Sequence, residues 1–139
     1  MATITDLAQS VVNELNTGEF SLEFTAVSTL LPSYELKELK TLKVTVVPRS
    51  QVFQRANRAQ TAREVEIDIG IQKKFSGDSE AGPLLDLVDE IANHFDGKRP
   101  TTMPSAICSK VVNEPIYAPE HIEQYRQFTS VLTLTFKVS

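Results

Sequence analysis

Residues 113–138 read NEPIYAPEHIEQYRQFTSVLTLTFKV, and the second half of that stretch decides the fold. From Phe128 onward Phe128, Ser130, Leu132, Leu134, Phe136 and Val138 fall on one side. Thr129, Val131, Thr133, Thr135 and Lys137 fall on the other. A period of two over eleven residues is the signature of a long strand, expected to lock this end of the chain into a sheet. The first half differs. Pro115 and Pro119 hold the residues before them in extended backbone. Pro119 to Tyr125 reads as a short helix with proline in its first turn. Tyr117, His121 and Tyr125 in this segment either close over the sheet or face a partner, the role that suits aromatic side chains at interfaces.

Upstream, Ile4, Leu7, Ala8, Val11, Val12 and Leu15 recur at helical spacing and predict a helix over about 4–16. Thr3 with Asp6 resembles a capping box, and Gly18 is expected to supply a left-handed stop. Leu22, Phe24 and Ala26 start a strand that runs toward Leu31, and Leu36, Leu39 and Leu42 suggest a helical turn. Lys43 to Val47 is a second strand, stopped or bent at Pro48. Glu64 to Ile71 is the cleanest alternation, with Val65, Ile67, Ile69 and Ile71 opposite Glu64, Glu66, Asp68 and Gly70. After the turn residues Ser76 to Ser79, with Ser79 as cap, Leu84 to Phe95 is a strongly amphipathic helix closed by Gly97 and Pro100. A strand over about 105–112 follows. The order is α-β-β-β-α-β-β, and the expected fold is a single α+β domain over 1–139: a mainly antiparallel sheet with two helices packed on one face.

The chain has 139 residues, 41% hydrophobic and 23% charged, which places it with ordinary globular domains rather than disordered chains. No apolar run approaches the roughly 18 residues needed to cross a bilayer, so no membrane partner is expected. Residues 1–10 show neither the basic nor the apolar region of a signal peptide. With a single cysteine, an internal disulfide is excluded. The formal net charge of −4 weighs against general nucleic-acid binding.

Catalytic chemistry finds little material. A nucleophile needs an activating base and a group that orients it, and Cys108, His94 and His121 sit in no such signature. Cys108 reads as a small buried strand residue. His94 reads as a surface residue near a helix C-terminus, where a cation suits the dipole. Two histidines 27 residues apart make no metal pattern. Asp86, Asp89 and Glu90 read as a solvated helix face, and the five glycines form no phosphate-binding loop. No enzyme, cofactor or metal is expected.

Two charged features remain. Residues 49–63, RSQVFQRANRAQTAR, carry Arg49, Arg55, Arg58 and Arg63 and no acid. They join two strands that pair best as a hairpin. The guanidinium fork suits carboxylate or phosphate recognition; a solvated hairpin end is the plainer alternative. The following strand places Glu64, Glu66 and Asp68 on one face, either solvated or meeting arginines of a neighbouring copy. A protein with one basic and one acidic patch has the parts of a head-to-tail ring.

The stretches NEPIY, PEH and RQFTSVLTLTF, with LKTLKVTVVPRS and VEIDIGIQKKF, resemble small proteins encoded among phage structural genes. The size and element order resemble the tail terminator, or tail-to-head joining, proteins of long-tailed phages. That resemblance implies a homo-oligomeric ring, typically hexameric, at the head–tail junction of the virion, assembled in the host cytoplasm. It would cap the tail tube protein, end tube polymerisation and meet the head–tail connector protein. Genome DNA would pass through the lumen without specific binding. It implies helices outside, sheets on the inner wall and no active-site residues. Arg55 and Arg58 are then candidates for inter-subunit contact. A head-completion or neck protein, and a nucleic-acid-binding module using 49–63, are the alternatives.

Overall fold

The computed structural model describes residues 3–22, 24–28, 42–55, 61–74, 81–100, 106–113 and 127–138. It contains α1 (Thr3–Thr17), β1 (Thr25–Ser28), β2 (Lys43–Arg55), β3 (Thr61–Lys74), α2 (Ala81–Phe95), β4 (Ala106–Asn113) and β5 (Gln127–Val138). The strands form one sheet in the order β1-β2-β3-β5-β4. The expected element order and two-layer α+β architecture are present.

The alternation read from the sequence explains the layering. Ile67, Ile69 and Ile71 on β3 stand across from Leu134, Leu132 and Ser130 on β5. On the other side Ile69 and Ile71 meet Val46 and Val44 of β2. The apolar residues in these pairs are all buried. They pack with Leu7, Val11 and Leu15 of α1 and Leu84, Leu87, Val88 and Ile91 of α2 in a single core. Both helices therefore cover the same face of the sheet.

The helices are also tied to each other. His94 on α2 pairs with Glu14 on α1, Nε2 to Oε2, at 3.0 Å. Its ring packs edge-on against Phe20, centroids 5.5 Å apart. Glu90 accepts from the Ser21 amide at 3.0 Å and from the Ser21 hydroxyl. His94 and Glu90 thus hold tertiary contacts, where the sequence suggested a solvated surface. Asp86 and Asp89 are exposed as expected.

The structure corrects the sequence reading at β1 and at Gly18. β1, Thr25–Ser28, starts later than Leu22 and runs parallel to β2; Leu22 and Phe24 precede it and pack on the core, and the expected run toward Leu31 lies outside the described residues. A parallel pair needs a crossover between its strands, and residues 29–42 connect these two. Of the two expectations at Pro48, a stop or a bend, the bend holds: β2 is irregular between Pro48 and Ser50 and continues to Arg55. Among the described residues β1 pairs with Lys43 to Val46. Gly18 is not left-handed; its N–H continues the helix to the Glu14 carbonyl at 3.0 Å. A Cβ there would stand 2.7 Å from the Phe20 ring, so the glycine serves close approach. Ser79, Leu36 and Leu39 lie outside the described residues.

Gly97 is the left-handed stop of α2, with φ of 70°. Its N–H donates to the Cys108 carbonyl at 3.0 Å, and the Cys108 N–H donates to the Lys98 carbonyl at 2.9 Å. The turn after α2 therefore caps the outer edge of β4. Across the sheet, the Asn16 side chain takes both backbone groups of Ala26 on β1, its Oδ1 accepting at 2.8 Å and its Nδ2 donating at 3.2 Å. A Cβ at Gly97 would meet nothing within 4 Å. Gly97→Ala should therefore cost only the conformational penalty, about 1–2 kcal/mol, read as a shift in the urea midpoint at constant m.

Candidate assembly surface

The face of the sheet turned away from α1 and α2, free of helix among the described residues, and the β2–β3 arm (residues 49–63) hold the charged residues singled out by the sequence. A register shift between Pro48 and Ser50 leaves Arg49 as the extra residue of a bulge: Pro48 stands opposite Ile67 and Ser50 opposite Glu66. A bulge re-aims the side chains beyond it. Before it, Val44 and Val46 face the helices. Beyond it, Gln51 and Phe53 share that side with Val65 and Arg63, while Ser50 and Val52 share the helix-free side with Glu66 and Glu64.

Arg49 reaches across the helix-free face to β3 and β5. Its Nε lies 3.8 Å from Glu66 Oε2 and its Nη1 3.7 Å from Asp68 Oδ1. The same Nη1 donates to Thr133 Oγ1 at 3.3 Å, and that hydroxyl donates to Asp68 Oδ1 at 2.7 Å. Thr133 is buried and bridges the two charges. The Arg49 side chain is 56% exposed, so these long ion pairs contribute at most about 1 kcal/mol. Their effect is placement: two of the three acids on β3 meet an arginine of their own chain. Glu64 stands opposite Lys137 of β5.

Arg63 lies on the other side of the arm. Its guanidinium sits 4.9 Å from the centroid of the Phe53 ring, a stacked cation worth about 0.5–1 kcal/mol at an exposed site. Arg55 closes β2, opposite Thr61 on β3. Arg58, Tyr117, His121 and Tyr125 lie outside the described residues. Arg49, at the bulge, reaches Glu66 and Asp68, and the change of parity beyond it puts Phe53 on the face that Arg63 already occupies. Sequence reasoning missed Phe53 and Thr133: Phe53 occupies a position that uninterrupted alternation from Val44 would have turned the other way.

Cys108 is fully buried in β4. Burial pushes its thiol up to about 11, with Asp96 adding a smaller push in the same direction. The thiol is therefore protonated at neutral pH, the unreactive form. Among the described residues no group of three or more His, Cys, Asp or Glu is placed to hold a metal ion. No helix there is long and apolar enough to cross a membrane.

No protein-family model matches the chain, and no curated protein matches it in sequence. Among solved structures the chain is similar to one in the virion of a native gene transfer agent particle. The two superpose with a TM-score of 0.62 at 12% identity, over 99% of this chain and 97% of that one. At that identity the likeness establishes a shared fold across both chains' full extent.

Proposed function

We propose that this protein is a structural component of a phage-like virion. It forms a homo-oligomeric ring at the head–tail junction, where it caps the tail tube, ends its polymerisation and joins it to the head connector. It acts by surface complementarity and occupancy, without catalytic turnover. The observation that carries the reading is the end-to-end likeness to a chain of a gene transfer agent virion. The resemblance of size and element order to phage tail terminators supports the finer placement. So does the basic β2–β3 arm, since a charged projection on an otherwise acidic chain suits heterologous contacts between copies.

The test is assembly on purified tail tubes, followed by native mass measurement and electron microscopy. The expected product is a closed ring of this chain at one tube end, with tube growth stopped. Arg55→Glu together with Arg58→Glu is expected to abolish ring formation and tail joining while leaving the circular dichroism spectrum unchanged. Normal assembly by the doubly reversed protein would remove these arginines from the mechanism. Capture of a portal-side connector but no tail tube would move the protein to the capsid side of the neck.

A further inference from the structure

The arm presents a side-chain pair that the fold leaves outside its core. Phe53 is 57% exposed although it lies in a strand, and the Arg63 guanidinium is stacked over its ring. An exposed aromatic with an arginine on top is the pairing enriched at the energetic centres of protein interfaces. In sequence, the segment 49–63 around it holds four arginines and no acid, Arg49 being turned to Glu66 and Asp68 on the other face. In a chain of net charge −4, the remainder is thus more acidic than the whole.

A surface of matching chemistry lies on the chain itself. Pro83, Asp86, Asp89 and Asn93 are all exposed on α2, and their spacing puts them on one side of the helix. Among the described residues no ion pair or side-chain hydrogen bond engages Asp86 or Asp89. The stripe offers the Pro83 ring for Phe53 to pack on and two carboxylates for the arginines. The Asn93 amide oxygen adds an acceptor for a guanidinium N–H. No cation interrupts the stripe. Phe53 remains exposed, so the arm does not use the α2 of its own chain.

We propose that the Phe53–Arg63 pair docks on the exposed Pro83–Asn93 stripe of α2 in a second copy of this chain. This rests on the ring reading and supplies it with a contact that joins two different patches, the geometry a ring requires. Val52 stands on the opposite face of the arm, across from Glu64, and is an internal control.

The experiment places a photoreactive phenylalanine analogue at position 53, and separately at position 52, of the full chain. Isotope-labelled and unlabelled protein are mixed at a concentration where the mass of the ring is measured in the same sample. The expected result is an inter-copy cross-link from position 53, not from position 52, into the tryptic fragment spanning residues 75–98. Asp86→Lys with Asp89→Lys is expected to cut the yield of cross-link to that segment by about tenfold or more. A ring that forms while position 53 links elsewhere, or to nothing, overturns this contact and leaves the ring standing. Absence of any ring overturns both.

Discussion

Phe136→Ala is expected to lower the free energy of unfolding by about 3–5 kcal/mol, the usual cost of removing a buried phenylalanine from a packed core. The site is severe because β5 lies inside the sheet. Phe136 is wholly buried, with Val65 of β3 opposite on one side and Cys108 of β4 opposite on the other. Hydrogen-bonded backbone on both flanks leaves little freedom to collapse into the void. Domains of this size are stable by only about 5–15 kcal/mol, so the substitution removes a large share of the total. The readout is the urea midpoint with m held constant. A loss of about 1 kcal/mol or less would contradict a central β5, since an edge strand relaxes around such a gap.

Asn16→Leu is expected to cost about 1–3 kcal/mol, the range for stranding polar groups of a folded backbone. The side chains are close in size, so the change isolates the hydrogen bonds. Ala26 is buried and loses the partner of both its N–H and its carbonyl. Asn16→Asp keeps the acceptor and loses the donor, and should fall between the two. Amide hydrogen exchange gives the local readout: the Ala26 amide should exchange faster in the leucine variant while those of β3 keep their protection. Unchanged exchange at Ala26 would show that another group holds that edge.

The local period of each element was legible in the sequence. β3 and β5 declare themselves because one face of each is apolar at almost every second residue, and the helices because their apolar residues share one stripe. Gly97 was legible as the stop of α2, while Gly18, likewise just past its helix α1, was misread because the close approach of the Phe20 ring leaves no mark in the local pattern. Strand order was not legible. That the last strand sits between β3 and β4 depends on contacts far apart in sequence, and alternation says which face is buried, never which neighbour is beside it. The parallel β1 was hidden for the same reason.

The charged residues were half legible. The arginines of 49–63 and the acids of β3 stand out by composition. The single extra residue in β2 that turns Phe53 to Arg63 leaves no composition signal, because a bulge changes parity without changing residue type. His94 shows the limit from the other side: a histidine near a helix end reads as solvated until a second helix brings Glu14 and Phe20 to it.

The closed margins of the sheet carry a consequence for the life of the free subunit. A bare strand edge is a template on which any extended chain can crystallise, and amyloid growth begins there. Here the Asn16 amide occupies the β1 margin at Ala26, and the turn at Gly97 and Lys98 occupies the β4 margin at Cys108. Both plugs belong to the same chain, so dilution or crowding does not remove them. Strand-by-strand stacking of copies is therefore blocked at these two points. In the proposed ring, contact between copies at these two points would fall to side chains, through their fit and charge, rather than to strand pairing.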